Sequence, residues 1–439
     1  MNANTINFDA NTIYLKHQSL KQTIIDILNY CNIPQDIINI IISFYWNIKL
    51  FSNIPSFALL SPDGSVDTWG YIHHGGDSSA EQHLLKNIIN IQSTITAFAA
   101  LTDNGTVVSW GESRNGGEYS SLKPPLNNVK TIHSNGDYTF MAIRADGSLV
   151  RWGGPVGNCT IMDNINNVKY IHSHGDNSYV AITDDGKGHI LDLYETKGGE
   201  NIPSSEVQDQ MTNISAIYHN RYSYAALKSD GTVVTWGDSS LGGNSMFVAN
   251  KLKNVVSIAS TMGAYIALLQ NGTIVEWGFM NWRGDRIQFI AVQDKLIDIV
   301  KIYSTKSSYL ALTRTGNVIT WGIVETGGDC SMYEHLLNNI VDIYSNLTSF
   351  LAIRNDETVI IWGDVLNGHG RVFKRDNDTI KSVHKTSKSF AVLYKSGTLI
   401  VVKRSCEKTY HDIETIMSCY NAYMFVRKNG MLKLKKMPL

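Results

Sequence analysis

Apolar and polar positions recur along most of the chain in a unit of about 41 residues. Each copy opens on an apolar-x-polar run: Leu50-Phe51-Ser52, Ile132-His133-Ser134, Ile302-Tyr303-Ser304, Ile343-Tyr344-Ser345. A small-and-apolar run follows, as at 56–60 or 140–143. Then comes Asp-Gly or Asn-Gly: Asp63-Gly64, Asn104-Gly105, Asp146-Gly147, Asp230-Gly231, Asn271-Gly272, Asn429-Gly430. A β-branched run ending in Trp-Gly completes the unit, as at 106–111 and 232–237. Asn-Gly and Asp-Gly between alternating apolar runs favour turns with φ > 0, the strongest short-range hairpin signal. Val, Ile, Thr and Trp suit a pleated, half-buried surface. The pattern predicts at least three antiparallel strands per copy, with room for a short fourth.

Trp69, Trp110, Trp152, Trp236, Trp277, Trp321 and Trp362 are spaced by 41, 42, 84, 41, 44 and 41 residues. Tyr194 is expected to stand for Trp in the doubled interval. Val402 and Lys435 continue the series, which makes ten copies. One unit of this size cannot bury both faces of its sheet, whereas stacked neighbours can. The recurring Trp is large enough to fill the gap between adjacent sheets.

After several Trp-Gly pairs, four residues lead to Gly-Gly: Gly75-Gly76, Gly116-Gly117, Gly242-Gly243, Gly327-Gly328. The pairs read as backbone geometry, a tight passage between units where a Cβ would clash. A glycine pair can also cradle an anion. No Lys follows these pairs in the manner of a phosphate loop.

The stretch ALKSDGTVVTWGDSSLGGN at 226–244 carries a resemblance. It resembles the repeat of the regulator of chromosome condensation (RCC1-like) family through Trp-Gly, and departs where Gly-Gly stands for that family's Gly-Gln-Leu-Gly. The resemblance spans about residues 48–439. It implies an all-β fold, a β-propeller of about ten units, with blade count and closure left open because seven blades are usual in the family. It also implies guanine-nucleotide exchange on a small GTPase of the Ran type. Exchange in that family uses a wedge inserted from one blade, and the even spacing here shows no insertion. The expectation is therefore a non-catalytic protein-interaction scaffold, with exchange factor as the alternative.

Residues 1–47 lack the repeat. Leu20, Ile24, Ile25 and Leu28 follow helical spacing. Pro34 and Asp36 suit the start of a second helix, and the run at 36–46 is apolar nearly all round. This predicts a helical cap on the repeat domain of residues 48–439. The alternative is an F-box-like segment, which would make the chain a ubiquitin-ligase substrate adaptor.

Hydrophobic content of 43% supports a large core. The five cysteines never form C-x-x-C, which fits free thiols in a reducing compartment. With no secretory signal and no membrane-length apolar run, a cytoplasmic monomer is expected, with a host cell as one setting. The net charge of −1 hides an asymmetry, because residues 371–439 hold 15 Lys and Arg against 5 Asp and Glu. Arg371, Lys374, Arg375, Lys403 and Arg404 are candidates for a basic patch, with an acidic protein or an anionic membrane as partner. Nucleic acid is disfavoured, since no reading module accompanies the charge.

No nucleophile motif, phosphate loop or zinc-spaced cysteine pair occurs, so no catalytic residue, metal or cofactor is assigned. His172-Ser173-His174-Gly175-Asp176 places three possible metal ligands close together. His133, His172 and His384 share one repeat position with Tyr218, Tyr303 and Tyr344, which favours a structural role. Candidate partner contacts are the aromatic-bearing loop residues Tyr71, His73, His74, Phe247 and Tyr333. Trp282, which lies off the repeat register, joins them with Arg283.

Overall fold

The computed structural model describes residues 49–436, except 54–55, 119–125, 155–159, 163–164, 175–177, 193–203, 221, 279–284, 365–369, 404–405, 419–421 and 429–431. The helical reading of residues 1–47, and with it the F-box alternative, lies outside the described residues. The described chain is an all-β repeat of ten antiparallel sheets. In chain order they span 49–70, 88–111, 129–162, 168–192, 214–237, 255–278, 299–322, 340–373, 380–410 and 413–436. They are sheets 1 to 10 below. Strands follow in sequence order within each sheet. Seven sheets have three strands, and sheets 3, 8 and 9 add a short fourth. No helix among the described residues is long and apolar enough to cross a membrane.

Contacts divide the chain into two compact units, residues 1–168 with 411–439, and residues 169–410. In the first unit, the first strands of sheets 10, 1, 2 and 3 lie side by side. In the second, the same holds for the first strands of sheets 5 to 8.

The middle strands are buried on both faces. Ala97–Thr102 is buried at every residue, as are Ser56–Leu60 and Ser389–Tyr394. An aromatic in the middle strand pairs directly with the Trp of the last strand, as Phe98 with Trp110 and Tyr265 with Trp277. The rings stack at 5.3 and 5.1 Å. Such pairs add about 0.5–1.5 kcal/mol beyond the area they bury.

Register corrects one expectation. In sheet 4, Tyr179 pairs with Leu191, so Leu191 and not Tyr194 occupies the place of Trp. Leu191 is buried there. Val402 and Lys435 hold the places assigned to them, opposite Phe390 and Tyr423.

The Asp-Gly and Asn-Gly turns also differ in detail. Gly64 N–H bonds to Ser61 O, and Ser61 N–H to Ser65 O, which makes a longer turn closed by a glycine bulge rather than a two-residue hairpin. Only the glycine has positive φ, +78° at Gly64. The preceding Asp63 instead accepts from Ser65 N–H at 3.0 Å, and Asp230 accepts from Thr232 N–H at 2.9 Å.

A second periodic device lies between sheets. Asn87, Asn128, Asn167, Asn213, Asn254, Asp298, Asn339 and Asp412 have φ of 53–60°, and each directly precedes a first strand. Asn and Asp enter this left-handed region most readily among non-glycine residues. The next residue donates back to the turn glycine of the preceding sheet: Ile88 to Gly64 O, Val255 to Gly231 O, Ile340 to Gly316 O. Among the described residues, a β-bulge follows at the second position of the first strand in eight sheets, for example at Ile89, Val256 and Val341.

Candidate interaction site

The Gly-Gly pairs have two distinct steric causes. A Cβ on Gly242 would lie 2.6 Å from the Tyr265 ring of the next sheet, and one on Gly75 2.6 Å from Phe98. A Cβ on Gly243 would lie 2.3 Å from Gly237 O, in the Trp-Gly pair of its own sheet. The carbonyl of the first glycine then accepts from the next Trp. Trp110 Nε1 reaches Gly75 O at 3.0 Å, Trp277 reaches Gly242 O at 3.0 Å, and Trp362 reaches Gly327 O at 3.1 Å. The glycine pairs, Gly116-Gly117 and Gly327-Gly328 included, are thus the joints of the framework. All four pairs are crowded where a Cβ would stand, and the first carbonyl accepts from a Trp at Gly75, Gly242 and Gly327, so the pairs serve structure.

This anchoring fixes the loops after Trp-Gly in sheets 1, 5 and 7. In sheet 1, Ser56 Oγ donates to Tyr71 O and accepts from Tyr71 N–H, both at 3.1 Å. Asn53 Nδ2 donates to His74 O at 2.8 Å. The backbone of Tyr71–His74 is held while the side chains of Tyr71, Ile72 and His73 are exposed and that of His74 is half-buried. Tyr71 and Ile72 are 50% and 65% exposed. The Tyr71 ring lies 5.9 Å from His73 and 4.7 Å from His74, both edge-on. Three predicted partner residues are therefore one aromatic cluster.

Beside this cluster runs a groove of about 680 Å³ between the loops of sheets 1 and 2. Ile72 and His73 line it together with Asp77, Glu81, Glu112 and Glu118. Burial pushes the Glu81 carboxyl above its usual pKa, with Asp77 repulsion adding to the effect. Hydrogen bonds from Ser79 hold Asp77 below its usual value. The groove thus concentrates negative charge. Among the described residues, no group of three or more His, Cys, Asp or Glu is placed to hold a metal ion.

The other candidates are scattered. Phe247 is 89% exposed on the loop after sheet 5. Tyr333 is half-buried against the core between sheets 7 and 8, and its neighbour Met332 is the exposed residue. Trp282, Arg283, Arg404 and Asp176 lie outside the described residues. Arg371 faces Glu407 at 3.6 Å, Lys374 faces Asp356 at 3.9 Å, and Arg375 faces Asp378 at 3.2 Å. Carboxylates therefore offset much of the local positive charge there, while Lys403 is half-buried. His133 and His384 bond Thr131 and Ser382 of their own strands at 3.0 Å. His172 packs 5.2 Å from His219. The shared His/Tyr position is half-buried on each of these first strands.

Comparisons with known proteins come to bear on this architecture. The chain is similar to RCC1-like propellers. Yeast RCC1 (Prp20), in its complex with Kap60, aligns at 15% identity over 57% of this chain and 73% of that chain, with a TM-score of 0.34. The computationally designed Ika8 protein aligns at 15% identity over 72% and 98%, TM-score 0.32. BamB from Moraxella catarrhalis aligns at 10% over 79% and 96%, TM-score 0.30. No family model and no curated protein matches the sequence. At these identities the likeness concerns the kind of fold, and no residue role is carried across.

Proposed function

We propose that the chain is a non-catalytic interaction scaffold that binds a partner protein through the loops after Trp-Gly. The observation that carries this reading is the Tyr71–His74 cluster. Its backbone is pinned by Ser56 and Asn53, while Tyr71 and Ile72 remain exposed. A rigid loop bearing large apolar and aromatic side chains loses little conformational entropy on binding, which is the property of interface anchors. The acidic groove beside it supports a partner segment with Lys or Arg flanking an apolar anchor, since opposite charge steers encounter and fixes register.

The test is affinity purification from the cells of origin with the full chain and with Tyr71→Ala and Ile72→Asp variants. A partner retained by the parent chain and lost from both variants supports the reading. A partner recovered equally with all three moves the binding surface elsewhere.

A further inference from the structure

Between the middle and last strands, the residue before the turn glycine is Asp63, Asp146, Asp185 and Asp230 in sheets 1, 3, 4 and 5, but Asn104 and Asn271 in sheets 2 and 6. The two residue types are held alike. In sheet 4, Asp185 Oδ1 accepts from Lys187 N–H at 3.1 Å and from Thr183 Oγ1 at 2.6 Å. In sheet 2, Asn104 Oδ1 accepts from Thr106 N–H at 3.1 Å and from Thr102 Oγ1 at 2.6 Å. Sheets 5 and 6 form a second such pair. Asp230 Oδ1 accepts from Thr232 N–H at 2.9 Å and its Oγ1 at 2.6 Å, and Asn271 Oδ1 from Thr273 N–H at 3.1 Å and its Oγ1 at 2.7 Å.

Only the other side-chain atom differs, an oxygen in Asp and the amide nitrogen Nδ2 in Asn. At Asn104 and Asn271, Nδ2 makes no hydrogen bond among the described residues, and both side chains are exposed. Hydrogen bonds from Thr183 and Thr232 hold the Asp185 and Asp230 carboxyls below their usual pKa, so this turn favours a charged carboxylate.

An Asn followed by Gly carries its own nucleophile. The glycine nitrogen can add to the Asn Cγ, because no Cβ screens it. An N–Cγ bond forms, the Cγ–Nδ2 bond breaks, and Nδ2 leaves as ammonia with the proton from the glycine N–H. Water then opens the succinimide ring. Opening at one carbonyl gives aspartate, and opening at the other gives isoaspartate, with one extra carbon in the main chain.

The structure separates the four Asn-Gly pairs among the described residues. Asn115 Nδ2 donates to Thr96 Oγ1, which holds the leaving group. Gly116 beside it is packed against the Phe140 ring. Asn135 is 4% exposed, and its Oδ1 accepts from the N–H groups of Asp137, Tyr138 and Thr139. Asn104 and Asn271 have neither restraint. Their glycine N–H groups bond to Thr102 O at 3.1 Å and Leu269 O at 2.9 Å, so attack waits on opening of the turn. An exposed turn opens at far lower cost than a core strand.

We propose that Asn104 and Asn271 are sites of spontaneous deamidation selected by the fold, and that conversion to aspartate keeps the fold while adding one negative charge at each turn. The product geometry already exists in the molecule, at Asp185 and Asp230. Isoaspartate has no such counterpart, because its extra main-chain carbon shifts the glycine away from the bonds that close the turn. The inference does not depend on the scaffold reading.

The experiment incubates the full chain in mildly alkaline buffer and follows each Asn by peptide mapping and mass spectrometry. Expected is conversion at Asn104 and Asn271 at least tenfold faster than at Asn115 and Asn135, with the four rates converging in denaturant. Asn104→Asp and Asn271→Asp variants should melt with the parent or above it. Three results would each overturn the proposal: equal rates at all four sites in the folded chain, a spread of rates that persists in denaturant, or an aspartate variant that melts below the parent.

Discussion

Trp277 donates its indole N–H to Gly242 O at 3.0 Å, and that bond joins sheet 6 to the loop that leaves sheet 5. Trp110 with Gly75 and Trp362 with Gly327 repeat it. Trp152 breaks the series. Its ring packs against Gly116, yet Trp152 Nε1 is buried with no hydrogen-bond partner. Between Gly116 and Trp152 the chain is one residue longer than between Gly75 and Trp110.

This contrast predicts unequal costs for one substitution. Trp110→Phe leaves Gly75 O buried without its donor, a loss of about 1–3 kcal/mol on top of the lost ring volume. Trp152→Phe loses volume alone. Thermal melts of both variants should place Trp110→Phe below Trp152→Phe, and equal melting points would remove the bond from the account.

Glycine substitutions separate steric need from backbone strain. Gly243→Ala puts a methyl 2.3 Å from Gly237 O, where only backbone movement can relieve it. Gly136→Ala meets nothing within 4 Å and carries only the strain of φ +83°, about 1–2 kcal/mol. Limited proteolysis and melting should show Gly243→Ala severely destabilised and Gly136→Ala mildly so.

The left-handed asparagines make a third prediction. Asn128→Ala forces an alanine to φ 57° and should cost about 1–2 kcal/mol. Asn128→Gly should cost less, because glycine adopts that φ freely. Chemical denaturation midpoints in the order parent or glycine above alanine support the reading, and an alanine variant as stable as the parent contradicts it.

Acid should weaken the fold through the half-buried histidines of the first strands. Burial holds His133, His172 and His384 below their usual pKa of 6.5, since it disfavours the imidazolium. The unfolded chain binds these protons more readily than the folded one. Stability from these groups is therefore complete above about pH 6.5 and falls as pH drops through the lower folded values. Melting temperature should be flat above about pH 7 and decline in mild acid, and His133→Gln should lessen the decline.

Much of this design was legible in the sequence because its cause is local. Asp-Gly and Asn-Gly turns, β-branched runs and the Trp period marked most sheets, and Gly-Gly announced a place with no room for Cβ. The left-handed Asn was missed, although Asn or Asp directly before Ile or Val recurs at the same period, as at Asn87-Ile88 and Asn254-Val255. The place of Trp in sheet 4 was misread because aromatic identity was followed, whereas cross-strand pairing with Tyr179 sets the position and admits Leu191. Closure of each sheet edge was not legible at all. At the edge of sheet 4, Gln208 donates to Gly188 O and accepts from Ile190 N–H, which no local pattern announces. The Tyr71 cluster was visible as composition, but its rigidity rests on Ser56 and Asn53, which are distant in sequence.

The most direct test of the scaffold reading is release of labelled nucleotide from a panel of small GTPases, Ran-type included, with the full chain added at micromolar concentration. The account predicts release rates unchanged from the GTPase alone, whether or not a complex forms in the same samples. Accelerated release from any panel member would contradict it and make the chain an exchange factor.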